Sequence, residues 1–140
     1  MRSERLIALA ALPLLLAIAG CGDKSPSPEQ MLAEGKDLYA MHCLACHQAD
    51  GRGVPYFQPP LVGGEWVTGD VQTLAAFVIS GGFDSASRTD SQNENVMPMF
   101  DYLKDADLAR ILTYVRDAFG NHAGPVSEAD VAAGRKLANP

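Results

Sequence analysis

The sequence predicts an all-α domain built from three to five helices. Apolar residues recur at helical spacing in three main segments, at about 28–42, 71–80 and 105–119. Each segment starts near a residue that can cap a helix, and the last two end near glycine. A chain of 140 residues with 47% hydrophobic residues suits one small domain and excludes general disorder. Length and composition indicate only a small globular domain, so evidence about its function has to come from the sequence motifs and their order.

The first twenty residues are typical of an export signal. Arg2 and Arg5 precede an apolar run at 6–19, which is too short to span a bilayer as a helix. The run ends in Ala19-Gly20-Cys21, which resembles a bacterial lipobox. The resemblance implies cleavage before Cys21 and lipid attachment to it. Residues 1–20 are then a lipoprotein signal peptide and 21–27 a lipidated tether, although an ordinary secretory signal with a nearby free cysteine would also fit.

The first helix has a complete start signal. Ser27 is the predicted N-cap, Pro28 suits the first helical position, and Gln30 completes a capping box. The residues that follow at helical spacing are Met31, Leu32, Gly35, Leu38, Tyr39 and His42. We expect one face of this helix to pack in the core and its C-terminal end to reach the next motif.

That motif is the pentapeptide Cys43-Leu44-Ala45-Cys46-His47, which has the Cys-x-x-Cys-His spacing of c-type haem attachment. Two thiols one helical turn apart can each bond to a vinyl group of the same porphyrin. The imidazole that follows can bind the iron. The sequence therefore predicts one covalent haem c per chain on Cys43 and Cys46, with His47 as an axial ligand.

Two residues upstream of this motif carry a family resemblance. Gly35 and Tyr39 lie eight and four residues before Cys43. The spacing resembles that in the N-terminal helix of class I bacterial cytochromes c. The resemblance implies that the C-terminal helix crosses closely at Gly35, with Ile111 and Tyr114 as candidate contacts. It also implies a cytochrome c domain over 28–120.

Prolines follow the haem motif after a turn-rich loop. The segment Pro59-Pro60-Leu61 resembles the proline segment of the family, in which a proline carbonyl accepts a hydrogen bond from the iron-binding imidazole. The resemblance favours Pro59 as the partner of His47 and leaves Pro60 as the alternative. Trp66 is expected in the core or in the haem wall, where its indole N–H could reach a propionate.

The second axial ligand is expected just after the polar segment 83–96. Met97-Pro98-Met99-Phe100 resembles the Met-Pro-x-Phe segment of the family, whose first methionine binds iron. The resemblance implies that Met97 is the sixth ligand. Met99 is the main alternative, followed by His122.

The chain is expected to end in two helices. Leu108, Ile111, Leu112, Val115 and Phe119 form the apolar stripe of the first, with Gly120-Asn121 as its stop. Lys104 occupies its N-cap position, so Asp105 is the expected cap. The C-terminal extension, 121–140, holds a short helix at about 128–137. Ser127 and Asp130 open it, and Val131 and Leu137 are the expected docking residues.

Charge and motif order together favour electron transfer. The formal net charge of −6 argues against nucleic acid and predicts redox partners with a basic docking patch. The run from Gly51 to Arg116, with the tail that follows it, is similar to cytochrome subunits of bacterial dehydrogenases and terminal oxidases. The implied protein is a membrane-anchored lipoprotein facing the periplasm or the cell exterior. It would shuttle single electrons and would not be an enzyme.

Two other classes remain open at this stage. A haem peroxidase or a gas-binding haem protein needs an open iron face and distal acid–base groups, and Met97 argues against both. A haem-free thiol–disulfide or zinc site could use Cys43, Cys46 and His47. A zinc site would need a fourth ligand among His42, His122 and scattered carboxylates. A redox dithiol would not explain Met97-Pro98.

Overall fold

The structure is a computed structural model that describes residues 25–82 and 97–138. The predicted signal peptide, Cys21 and the polar segment before Met97 lie outside the described residues. Within these residues the elements are α1 (Pro28–His42), α2 (Leu44–His47), α3 (Glu65–Thr68), α4 (Val71–Ile79), α5 (Asp105–Asp117), a 3₁₀ turn (Ala118–Gly120) and α6 (Glu128–Ala138). No strand occurs among them, which confirms the all-α prediction. The described residues form six helices, more than the predicted three to five, because α2 and α3 are additional single turns of four residues.

The helix starts follow the predicted caps with one exception. Ser27 and Gln30 form the capping box of α1, and Asp70 accepts from the Thr73 N–H at 2.8 Å to cap α4. The expectation that Asp105 caps α5 was wrong. Lys104 is the N-cap residue and makes no side-chain cap. The Asp105 carboxylate instead accepts from Arg135 of α6 at 2.8 Å, because an ion pair across helices competes for it.

The crossing of α1 and α5 is close because Gly35 has no side chain. A Cβ placed there would collide with the Arg110 carbonyl oxygen and lie 2.8 Å from the Tyr114 Cβ. The predicted crossing at Gly35 is therefore confirmed, with Tyr114 as one of its contacts. Arg110 also pairs with Glu34 of α1, with Nε and Oε2 2.7 Å apart.

Among the helices, α5 contributes the most residues to the buried core. Leu108, Ile111, Leu112 and Val115 are all buried, as their spacing predicts. The helix ends at Asp117, two residues before the expected end, because Phe119 adopts φ +59. This turn brings the Phe119 ring to 5.6 Å from the ring of Tyr39, where it joins an aromatic cluster with Tyr114.

The C-terminal helix α6 packs across α4 and also touches α5. Val131 is fully buried, as expected, but Leu137 is 56% exposed, so its predicted docking was wrong. Leu137 lies in the last turn of α6, away from the contact with α4, which is made around Gly134. A Cβ at Gly134 would lie 2.6 Å from the Ala75 Cβ and 2.7 Å from the Gln72 carbonyl oxygen.

Candidate haem site

The end of α1 and the single turn α2 arrange the pentapeptide. The Cys43 N–H still donates to the Tyr39 carbonyl at 2.8 Å, so Cys43 ends α1 and begins α2. The amides of Cys46 and His47 then both donate to the Cys43 carbonyl, at 3.2 and 2.9 Å. The three functional side chains therefore share one turn that is continuous with the core helix α1.

His47 is oriented by a backbone carbonyl. Its Nδ1 lies 3.2 Å from the Pro59 oxygen, so Pro59 rather than Pro60 is its partner in this structure. Burial lowers the pKa of His47, although the bond to Pro59 opposes part of that shift. The imidazole is thus neutral near pH 7, with Nδ1–H toward Pro59 and the basic Nε2 available to a metal.

The loop after His47 is tied down by backbone contacts. The buried Tyr39 hydroxyl donates to the Gln48 carbonyl at 2.6 Å, and burial raises the pKa of Tyr39, so it stays a donor. The Gly53 N–H donates to the His47 carbonyl at 3.1 Å, and the Leu61 N–H to the Gly51 carbonyl at 2.7 Å. These contacts connect the two ends of the loop and fix Pro59 relative to His47.

Two polar side chains that the sequence analysis did not single out complete this side of the site. The Asn121 amide donates to the carbonyls of Leu61 and Val115 and accepts from the Gly63 N–H at 2.7 Å. The buried Arg116 guanidinium donates to four backbone carbonyls, those of Val67, Gly69, Ala123 and Gly124. Burial lowers its pKa, and Asp70 and Asp130 oppose the shift. These contacts secure the chain on both sides of Trp66.

Trp66 lies on α3 as a partly exposed aromatic surface. Its side chain is 54% exposed and stacks on Phe77, with ring centroids 4.9 Å apart. The alternative that Trp66 is a core residue was therefore wrong, because α3 is a single turn at the edge of the fold. The haem-wall role stays a prediction.

The Met97 segment packs on the end of α4. The Phe100 N–H donates to the Ile79 carbonyl at 3.2 Å, and the Phe100 side chain is buried. A Cβ at Gly81, which has φ +73, would lie 2.8 Å from the Met97 carbonyl oxygen. Met97 is half-buried against the core, whereas Met99 is 60% exposed and His122 is exposed. The environments thus favour Met97 among the three candidates.

The residues around the pentapeptide fit a haem. Cys43 and Cys46 are both free thiols. Cys43 and Met97 both pack against the buried core, as do the half-buried side chains of Leu61 and Val78. Two free thiols and a neutral imidazole on one turn, with an apolar surface beside them, are the donor set and surface that a covalent porphyrin requires.

The haem-free alternatives fit less well. Burial raises the pKa of the Cys43 thiol to about 12, and Cys46 adds to the rise. This disfavours the thiolate that a zinc ligand or a redox dithiol requires. Within residues 25–82 and 97–138, no group of three His, Cys, Asp or Glu side chains could hold a metal ion.

Comparison with known proteins agrees with this geometry. The cytochrome c family model matches residues 32–119, which is more than half of the chain. The cytochrome subunit of fructose dehydrogenase from Gluconobacter japonicus is 31% identical over 127 residues, covering 84% of this chain and 25% of that protein. Cytochrome c-552 from Thermus thermophilus is 31% identical over 93 residues, covering 64% of this chain and 70% of that protein. The chain thus spans about a quarter of the dehydrogenase subunit.

The fold and the site define a class I, haem-binding electron-transfer protein. The chain belongs to the cytochrome c family, whose haem c is bound covalently, and Cys43 and Cys46 fit the attachment motif. The matched segment ends at residue 119, so α6 follows it.

Proposed function

We propose that this protein is a closed, monohaem electron carrier in which His47 and Met97 bind the haem iron. The contact between the His47 Nδ1 and the Pro59 carbonyl, at 3.2 Å, is the observation that carries the proposal. It fixes the tautomer and the orientation of an iron-binding imidazole. When bound, the haem iron changes between Fe(II) and Fe(III) and so accepts or donates one electron.

Met97 is the proposed second ligand. Pro98 restrains the backbone after it, Phe100 anchors the segment to the Ile79 carbonyl, and Gly81 leaves room for the Met97 backbone. A thioether ligand raises the reduction potential relative to a second histidine. With both His47 and Met97 bound to it, the iron would have no open position for a substrate and would serve electron transfer.

The proposed location is a membrane surface. Cys21 would carry the lipid anchor and 22–27 the tether, so that the domain diffuses in two dimensions beside its redox partners. No helix within the described residues is long and apolar enough to cross a bilayer. The net charge of −6 favours partners that present a basic patch. The likeness to a dehydrogenase subunit supports a dehydrogenase as a redox partner.

An absorption spectrum of the protein, exported in a host that attaches haem, tests the haem assignment. We expect a Soret band that survives acid-acetone extraction and a methionine-to-iron charge-transfer band in the oxidised form. Loss of the Soret band on extraction would contradict covalent attachment.

Met97→Ala tests the ligand assignment. The charge-transfer band should vanish in this variant and remain in the matched variant Met99→Ala, because Met99 is exposed. Persistence of the band in Met97→Ala would exclude Met97 as a ligand.

Carbon monoxide separates the carrier from a haem peroxidase or gas-binding protein. The reduced native protein should bind little carbon monoxide, because Met97 occupies the position, and Met97→Ala should bind it readily. Ready binding by the native protein would favour the enzyme or sensor class.

A further inference from the structure

The segment that bears Met97 is held from its C-terminal side by α6. Arg135, in the last turn of α6, donates to the carbonyls of Asp101 and Leu103, each at 2.8 Å. Its Nε and terminal nitrogen also donate to the Asp105 carboxylate, at 3.0 and 2.8 Å. One guanidinium therefore fixes both backbone and side-chain groups in the short stretch between Phe100 and α5.

The helix that carries Arg135 is itself fixed to α4. Gly134, the preceding residue, allows the close approach to Ala75 and to the Gln72 carbonyl. Val131, three residues before Gly134, is fully buried. Because α4 also supplies the Ile79 carbonyl that accepts from the Phe100 N–H, α4 and α6 both hold the residues that follow Met97.

We propose that α6 is a brace for the sixth-ligand segment and that Arg135 is the positioning residue through which it keeps Met97 in place. The proposal rests on Met97 being the ligand, as proposed above. Arg suits this role because its planar guanidinium presents several donors at fixed angles to carbonyls and a carboxylate at once. A side chain with fewer donors would leave the backbone at 101–103 free to shift, and Met97 with it.

Imidazole is a probe for how firmly Met97 is held. It binds ferric haem when Met97 has moved away, so its apparent affinity scales with the fraction of molecules in which the segment is open. We expect Arg135→Met to raise the apparent imidazole affinity of the oxidised holoprotein by about tenfold, because it removes charge-assisted hydrogen bonds to that segment.

Lys136→Met is the matched control. Lys136 is the neighbouring, exposed residue of α6, and its substitution removes the same charge without touching 101–105. Its imidazole affinity should stay within about twofold of the native value. An equal rise in imidazole affinity in both variants would overturn the proposal, because the loss of one positive charge would then explain the rise. Unchanged affinity in Arg135→Met would overturn it as well, even if urea unfolding showed lower stability.

Two further variants test the same contacts if Arg135→Met does not fold with its haem attached. Arg135→Lys keeps the charge and loses the fork, and Asp105→Asn keeps one acceptor oxygen, so each should raise imidazole affinity by about threefold. Native affinity in both would overturn the proposal. The failure of Met97 as a ligand is distinguishable, because the charge-transfer band would already be absent in the native protein.

Discussion

Two close helix crossings in the described residues are both made at a glycine, and each lies next to a different part of the haem site. α1 crosses α5 at Gly35, and α4 crosses α6 at Gly134, and in each case a Cβ would strike a backbone oxygen of the other helix. The first crossing positions the pentapeptide that contains His47, because Cys43 directly follows the last residue of α1. The second crossing carries Arg135, which contacts the chain just after Met97 and Phe100.

The two crossings therefore support different parts of the proposed site: the first supports haem attachment, and the second supports the position of Met97. The cysteines and His47 occupy five consecutive residues, so their arrangement depends on local helical geometry and on the fold of α1. The Met97 segment has no such local framework and depends on contacts with α4 and α6 that are distant in sequence. We therefore expect damage to the first crossing to threaten the whole fold, and damage to the second to loosen the Met97 side first.

The largest effect is expected from Gly35→Ala. Helix propensity alone would stabilise this variant by about 1 kcal/mol. The collision with the Arg110 carbonyl must instead push α1 from α5, and we expect a net loss of about 3 kcal/mol in the free energy of unfolding.

Urea unfolding of the holoprotein measures this loss. The matched control is Ala40→Gly, an exposed site on the same helix, which should lose only the propensity difference of about 1 kcal/mol. A more stable Gly35→Ala protein would mean that the crossing is loose.

Gly134→Ala should have an intermediate effect of about 2 kcal/mol on the free energy of unfolding. The nearest atom to the added Cβ is the Ala75 Cβ at 2.6 Å, which is farther than the Arg110 oxygen is from a Cβ at Gly35, so a smaller displacement relieves the clash. Urea unfolding and the imidazole titration should be run together on this variant.

These two glycine variants test the comparison directly. Gly134→Ala should raise imidazole affinity more, per unit of lost stability, than Gly35→Ala does. The reverse order would show that the crossing at Gly134 does not support the Met97 segment more than the crossing at Gly35 does.

The sequence predicted the first crossing and missed the second for a physical reason. Gly35 lies eight residues before Cys43 of the haem motif, and this spacing resembles that of the N-terminal helix in class I cytochromes c. Gly134 has no such reference point, because its contact with Ala75 depends on how α6 returns over α4.

The supporting side chains were missed for a similar reason. The short pentapeptide and the capping boxes of α1 and α6 depend on neighbouring residues, so they could be recognised from the sequence. Arg116, Asn121 and Arg135 act on backbone groups up to 60 positions away, and an arginine in a last helical turn is equally typical of a solvated surface.

The smallest expected effect is the loss of stability in acid. It should affect the crossing of α4 and α6 more than the crossing of α1 and α5. α1 is capped by the uncharged pair Ser27 and Gln30, whereas α4 and α6 are capped with the help of Asp70 and Asp130. Hydrogen bonds from the Ser127 hydroxyl and N–H hold the pKa of Asp130 below its usual value, and those from Thr73 do the same for Asp70. Since each folded pKa is depressed, the stabilisation is present above the unfolded pKa of about 3.9 and is lost as the pH falls through the folded value.

Asp130→Asn, with Glu128→Gln as control, tests this difference. Both variants remove one carboxylate from the first turn of α6, but only Asp130 accepts from Ser127. At pH 6 we expect Asp130→Asn to be less stable than the control by about 0.5 kcal/mol, a small value because the carboxylate is near solvent. At pH 3 the gap should shrink, because this pH is below the unfolded pKa of about 3.9 and the stabilisation is lost as the pH falls further toward the depressed pKa of folded Asp130. A gap that stays constant from pH 6 to pH 3 would mean that the carboxylate charge does not hold α6, and that acid does not weaken the second crossing through this cap.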